Sequence, residues 1–512
     1  MSTHPLSFSR PKTHAPFPPQ AQSGMKLRVG LIPSGKGAPM QFVERHSIDY
    51  VPLRERHGKV WHLWPIWFSG DAHLATLATG AIGMAMGLGF GWSVLSILTG
   101  CALGTLFMAS HSSQGPELGL PQMIQSRPQF GYRGALLVWC FALVTYVGYT
   151  VFNEVVFGVA VQDLTGAHLS HGALIAVFAA FSLAALGFAI AGYDMIHLAQ
   201  RVLAALVIVA LLIYSVGVAL ASRGNPQLGL GHWATIPFLV QFFAVAGYQL
   251  SWSIYVSDYS RYLPRDVGVR ASFWWTFVGA FVGGAWMMLV GDVAIALFPG
   301  HEIVGAVLAA GNLVWPGFGP VLIVLSSLSL VTITTLNLYG GSLTLLSIVD
   351  SFHHIANPAR ARLIALVVLG VISTWLSALA GDNVRELIEN LLSVLIYLFT
   401  PWTAINLVDF FLVRQGHYSV REIFNPDGIY GRWNWRGIGA YGIGFAAMVP
   451  FFSTPIFVGP VARALGGADI SMLIGLPVSA LVYYWACQSI DLVAERAQIA
   501  LADAGLDEGI NA

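Results

Sequence analysis

The chain reads as an all-α polytopic membrane protein: twelve transmembrane helices, a five-plus-five inverted repeat, and broken helices 1 and 6. Three observations predict this. Of 512 residues, 56% are apolar and only 10% are charged, against about 25% charged in ordinary soluble domains. Apolar runs of roughly 20 residues recur, the length a helix needs to cross a bilayer. Polar residues interrupt two of these runs, five helices apart.

Residues 1–46 hold seven prolines and many polar side chains. They read as a disordered cytoplasmic tail. No apolar core follows the early basic residues, so the segment is not a secretory signal peptide. Spans follow near 62–89, 91–111, 134–162, 172–191, 198–221, 235–258, 270–298, 318–348, 361–380, 386–412, 438–459 and 471–491. The first ten form a core over 47–414. Helices 11 and 12, within 415–492, are peripheral, and 493–512 reads as a cytoplasmic tail.

Orientation follows from the basic residues. Nine Lys or Arg precede helix 1, twelve lie in the even-numbered connections, and Arg496 follows helix 12. The odd-numbered connections hold only Arg223, Arg385 and Arg463. Basic residues stay on the cytoplasmic side, so both termini are expected there, in a plasma (inner) membrane.

Helix 1 is interrupted at Ser69-Gly70-Asp71-Ala72 within "WFSGDAHLA". Helix 6 is interrupted at "AVAGYQLSWS", centred on Ala246-Gly247-Tyr248-Gln249. Unwound backbone at membrane depth is tolerated where it lines a cavity or is buried in protein. Five is odd, so the second five helices enter from the opposite side, with a site between the broken helices. Carbonyls near Ser69 and Ala72 then coordinate a cation, while Asp71 and His73 face the cavity. Gly83-x-x-x-Gly87 fits close helix packing instead. "GLGFGW" at 87–92 is no dinucleotide loop, since no strand precedes it.

Ionisable residues inside spans are functional candidates: Asp71, His73, Glu154 and Asp292. Asp71 either contributes to ion coupling or caps the broken helix. Glu154 fits a structural partner as well as a proton exchanger. His73 fits a satisfied polar residue better than a metal ligand. Asp292 lies nearer an end, within reach of the interface. Asp258 and Arg261, spaced i, i+3, fit an ion pair. Cys101, Cys140 and Cys487 lie in apolar segments and read as buried small side chains.

Tyr146, Tyr149 and Asn153 share one face of helix 3 by their 3-then-4 spacing. Helix 6 offers Gln249, Ser251, Trp252 and Ser253. Helix 8 offers Ser329, Thr332, Thr334, Thr335 and Asn337. Aromatic faces beside amides suit a small, flat, polar ligand, although such stripes also serve helix packing. No basic residue lies mid-span to bind an organic anion. Zero net charge gives no reason to expect nucleic acid. There is no His-x-x-Glu-His cluster at span depth and no P-loop, against a metal-dependent intramembrane enzyme or an ATP-driven pump. No cofactor is expected.

Five segments carry a family resemblance. They are "YVPLRERHGKVWHLWPIWFSGDAHLATLATG", "GLPQMIQSRPQFGYRG", "AGYDMIHLAQR", "WSIYVSDYSRYLP" and "PWTAINLVDFFLVRQGHY". Over roughly 47–418 the chain resembles the nucleobase:cation symporter family, particularly its purine–cytosine permease branch. The resemblance implies import of a purine- or cytosine-type base by cation symport with alternating access. Allantoin, hydantoin or a thiamine-related pyrimidine are alternative cargoes. It implies that Tyr149 stacks on the ring and that Tyr146 sits at a position often held by an amide. Gln249 falls where a stacking aromatic is usual, and Asn337 alone remains of the fungal branch's tandem asparagines. For a Na⁺ site it implies carbonyls of Ser69 and Ala72 with hydroxyls of helix 8, where Ser329 and Thr332 are the candidates. Ile333 takes a hydroxyl position, and Asp71 stands where the proton-coupled fungal branch often has asparagine. The coupling ion is H⁺ or Na⁺, and these departures lean towards H⁺.

Overall fold

The computed structural model describes residues 49–191, 193–353, 355, 358–380 and 383–506. The tail expected at 1–46 lies outside the described residues. Among them all regular secondary structure is helical, apart from one antiparallel bridge between Ser453 and Val458.

The first span is cut into α1 (Leu63–Gly70), α2 (Leu74–Gly80) and α3 (Ile82–Ala85). Then come α4 (Phe90–Ser110), α5 (Gln114–Leu118), α6 (Arg127–Phe130), α7 (Leu136–Thr165), α8 (His171–Ala191) and α9 (Tyr193–Ala221). The second half holds α10 (Thr235–Ser251), α11 (Val256–Ser260), α12 (Val269–Leu297), α13 (Ile303–Gly311), α14 (Phe318–Asp350), α15 (Pro358–Ala380) and α16 (Val384–Val408). The rest is α17 (Val420–Ile423), α18 (Trp435–Met448), α19 (Pro460–Ala464), α20 (Ser471–Cys487) and α21 (Leu492–Ala502).

Among the described residues eight helices are individually long and apolar enough to cross a bilayer, or nine if the bent pair α20 and α21 counts as one span. Twelve were expected. The shortfall has a physical cause: the first and sixth runs are segmented, and α18 and α20 are short. Helix 11, expected over 438–459, stops at Met448, because Pro450, Pro455 and Pro460 cannot donate to a helical ladder. The segment read as a tail from 493 carries α21. It turns 83° from α20 and docks through Arg414–Glu495 (2.6 Å).

The main packings repeat between the halves. α1 and α2 lie on α12, and α10 lies on α4. α7 crosses α14; α7 touches α15 and α16, while α14 touches α8 and α9. Glycines make the closest seams. Gly279 and Gly283 of α12 meet the α1 backbone at Trp64 and Phe68. Gly100 and Gly104 of α4 meet the α10 backbone at Phe242 and Ala246. Both are Gly-x-x-x-Gly steps that let helix backbones approach. Gly83-x-x-x-Gly87 is not one of them. Gly87 has φ +89° with open space around it, and it ends the first span. Cys140 is exposed on the α7 face of Leu137 and Val144, both exposed too. The expected burial holds for Cys101 and Cys487 alone.

Candidate substrate and ion site

Helix 1 stops at Gly70 and resumes at Leu74. Ser69 begins the departure. Its hydroxyl donates to the Ile66 carbonyl at 3.2 Å, competing with the backbone for that acceptor. The Ala72 N–H then reaches Ser69 O (3.1 Å), and the His73 N–H reaches Asp71 O (2.9 Å). His73 is extended, with φ −155° and ψ 167°.

Helix 6 does not break at Ala246–Gln249. α10 runs helical through Gly247 to Ser251. Gly247 lacks a side chain because Ile396 of α16 occupies the space a Cβ would need. The ladder changes further on. Ser251 Oγ donates to Tyr248 O at 2.7 Å, and the Trp252 N–H turns to the Gln249 and Leu250 carbonyls. Trp252–Ile254 winds as a 3-10 turn before α11.

Between these interruptions lies an aromatic and amide cluster. Tyr149 meets Tyr248 edge-on at 6.2 Å. Its hydroxyl lies 2.9 Å from Ser251 Oγ. Tyr149 is the donor, because Ser251 commits its proton to Tyr248 O. Tyr146 meets Tyr255 edge-on at 5.4 Å, and the Tyr255 hydroxyl donates to Asn337 Oδ1 at 3.2 Å. Trp252 lies against Trp67 (6.1 Å) and Tyr255 (5.6 Å). Tyr248 Oη sits 2.6 Å from Thr76 Oγ1 and 3.4 Å from His73 Nε2. Asn153, one turn beyond Tyr149, donates to Thr334 Oγ1 at 3.0 Å. Asn153 Oδ1 and Asn337 Nδ2 are buried and have no hydrogen-bond partner.

The structure therefore brings together Tyr146, Tyr149, Asn153, Ser251, Trp252 and Asn337. It does not bring Gln249. That side chain turns towards α4 and α12, with Nε2 3.3 Å from Ala280 O and 3.5 Å from both Asp71 Oδ2 and Cys101 Sγ. Adjacent helical residues point about 100° apart, so Tyr248 faces the cluster and Gln249 faces away. Tyr248 and Tyr255, with Trp67, were the residues missed. The 4-then-3 spacing of Tyr248, Trp252 and Tyr255 was the available signal.

Of the five ion candidates, Ser69, Asp71 and Ala72 lie at the break in helix 1, and Ser329 and Thr332 lie on α14. Thr332 Oγ1 donates to Ser329 O at 2.8 Å, and Asp71 pairs only with Gln249. Among the described residues no hydrogen bond joins Ser69, Asp71 or Ala72 to Ser329 or Thr332. Asp292 is fully buried, not interfacial, and accepts from Ser93 at 2.7 Å. Asp258 accepts from the Gln122 N–H at 2.9 Å, tying helix 6 to the 2–3 connection. Beyond the spans, the Arg127 guanidinium lies over Tyr132. Burial pulls its pKa down to about 10, partly countered by Tyr132.

Two cavities open near the ends of the bundle. One of about 500 Å³ lies beside α2, α3 and the 5–6 and 7–8 connections. One of about 280 Å³ lies beside Glu117, Arg265 and Gln415. Neither lining includes Tyr149 or Trp252, so neither is the hollow expected between helices 1 and 6. There the rings of Tyr149, Tyr248, Trp252 and Tyr255 stand in sequence, with centroids 6.2, 6.3 and 5.6 Å apart.

Apolar helices of spanning length around an interior cluster of aromatic rings and amides define a multi-pass membrane protein. A family model described as permease for cytosine/purines, uracil, thiamine, allantoin matches residues 50–475. YxlA of Bacillus subtilis (strain 168), provisionally named a purine-cytosine permease, is 35% identical over 452 residues, covering 86% of this chain and 95% of its own. Purine-cytosine permease fcyB of Emericella nidulans is 26% identical, with 86% and 87% covered. Among solved structures, inward-facing Mhp1 aligns with a TM-score of 0.70 at 16% identity, over 90% of this chain and 98% of that one. Closed Mhp1 with bromovinylhydantoin bound aligns at 0.66 and 15% identity, over 90% and 99%. The chain belongs to the nucleobase:cation symporter family, in its purine–cytosine permease branch. Its relatives are permeases and transporters, not enzymes.

Proposed function

We propose that the chain imports a purine- or cytosine-type base by cation symport with alternating access, across the plasma (inner) membrane with both termini cytoplasmic. One observation carries the reading: the buried orphan acceptor on Asn153 and the buried orphan donor on Asn337, beside the aromatic cluster. Buried polar atoms left unpaired call for a partner. A flat ring carrying both N–H and C=O on its edge satisfies both, while Tyr149 and Trp252 cover its faces.

Counting α1–α3 and α10–α11 as one span each, with α18 and α20, makes twelve spans. The swapped packing of the two halves supports an inverted repeat within 47–414. Asp71 is the proposed carrier of the coupling proton, since its Oδ1 has no partner and its Oδ2 has only a 3.5 Å contact. A related ring, such as hydantoin, allantoin or a thiamine-related pyrimidine, is the second reading. The hydantoin held by Mhp1 presents a similar edge of N–H and C=O groups.

The test is uptake of radiolabelled bases in a permease-deficient strain, with and without Na⁺, at two pH values, with unlabelled rings as competitors. Tyr149→Ala and Asn153→Ala should each raise KM about tenfold, the worth of one good contact. Unchanged kinetics in both would remove the pocket. Asp71→Asn uptake that keeps its full dependence on the ion gradient would remove the proton carrier.

A further inference from the structure

Away from the aromatic cluster, α7 meets α8 and α15 around a carboxylate that the transport reading leaves unused. Glu154 is fully buried. Every donor it receives is a hydroxyl: Ser182 on α8, and Ser377 (2.7 Å) and Thr374 (3.3 Å) on α15. Thr374 Oγ1 lies 3.1 Å from Ser182 Oγ. Ser377 Oγ lies 3.4 Å from the Val151 carbonyl. Two carboxylate oxygens, three hydroxyls and a carbonyl thus form an all-oxygen group. None of the ion pairs among the described residues involves Glu154.

A lone carboxylate at membrane depth is costly unless a positive charge balances it. Hydroxyl dipoles soften that cost without supplying the charge. A proton would need one carboxylate oxygen and little else, whereas this group gathers six oxygens from three helices. Hard cations take such oxygen sets, and a monovalent ion balances a single carboxylate. Ser377 has a second acceptor for its proton, Ser373 O at 2.9 Å. Its lone pairs can therefore turn to an ion without stranding the hydrogen.

We propose that Glu154, Ser182, Thr374 and Ser377, with the Val151 carbonyl, form a Na⁺ site at the junction of α7, α8 and α15. Glu154 directly follows Asn153, whose amide holds Thr334 of α14. An ion here fixes the stretch of α7 that reads the ring. The site depends neither on Asp71 nor on the identity of the cargo, so its test needs no transport.

The test uses the purified full chain in detergent. Tm is measured in NaCl against choline chloride at equal ionic strength, and bound radioactive Na⁺ is counted. Na⁺ should raise Tm saturably in the wild type. Glu154→Gln and Thr374→Val should shift the midpoint of that response upwards by about tenfold or more, with Tm in choline little changed. Asp71→Asn should keep the response. The site is overturned by no Na⁺ response in the wild type, or by one that both variants retain. It is equally overturned if Glu154→Gln abolishes a pH response while no Na⁺ binds, which would make the group a proton carrier alone. If Glu154→Gln does not fold, Thr374→Val still decides, because it keeps the charge and removes one oxygen.

Discussion

Helices 1 and 6 lose their regular ladders after the same event. A serine hydroxyl donates three residues back, Ser69 to Ile66 O and Ser251 to Tyr248 O. Beyond the serine the two helices diverge. After Ser69 come Gly70 and Asp71, and the backbone opens until His73 is extended. After Ser251 come Trp252, Ser253 and Ile254, and the backbone tightens into a 3-10 turn. Nothing lies within 4 Å of where a Gly70 Cβ would stand. Trp252 is hemmed in by Trp67, Tyr248 and Tyr255. The serine triggers the departure, and the space around the next residues decides its form. Glycine is a poor marker: Gly247 is fully helical and serves only to admit Ile396.

The largest effects are expected at the seams that hold each helix. Gly283→Val sets a branched side chain against the α1 backbone at Phe68, and Gly104→Val does the same to α10 at Ala246. Overpacking of this kind costs about 1–3 kcal/mol or more. Both variants should lose monodisperse protein on size exclusion and melt lower. Sensitivity at one seam alone would mean that the two halves differ in energetics despite their matching contacts. A middle-sized effect separates the serines. Ser251→Ala removes two hydrogen bonds, to Tyr248 O and from Tyr149, at about 1 kcal/mol each. Uptake KM should rise well above that of Ser69→Ala, which removes one bond remote from the ring. Equal KM values would erase the distinction. The smallest effect is expected at the glycines. Gly247→Ala should lower Tm modestly by pressing on Ile396. Gly70→Ala should leave Tm unchanged or raised, since alanine favours helix by about 1 kcal/mol. A melting loss at Gly70 matching that at Gly247 would refute the difference in space.

Much of the architecture was legible because lipid is an exacting solvent. The long helices α4, α7, α8, α12 and α14 lie within a few residues of where apolar runs place them. Helix 11 was overextended because apolar Phe and Val masked the prolines that end it. α13, apolar but only nine residues long, left no span-length signal. At the site, residue type was legible and direction was not. The 146–149–153 face is set by spacing alone. By contrast, Gln249 and Tyr248 are neighbours whose roles exchange with a single step of helical phase. Helix 6 departs at Ser251, not at the expected Gly247, because a serine hydroxyl and not a missing side chain draws on the helical ladder.

Asp503 accepts from Ser419 Oγ (2.7 Å) and from the Val420 (2.9 Å) and Arg421 (3.2 Å) amides. Arg421 in return donates to Ala502 O at 2.8 Å. This end of α21 is therefore a clasp that finishes the fold of the loop after α16. A reporter spliced in ahead of residue 503 would undo that clasp, so a fluorescent label should be placed beyond an intact α21.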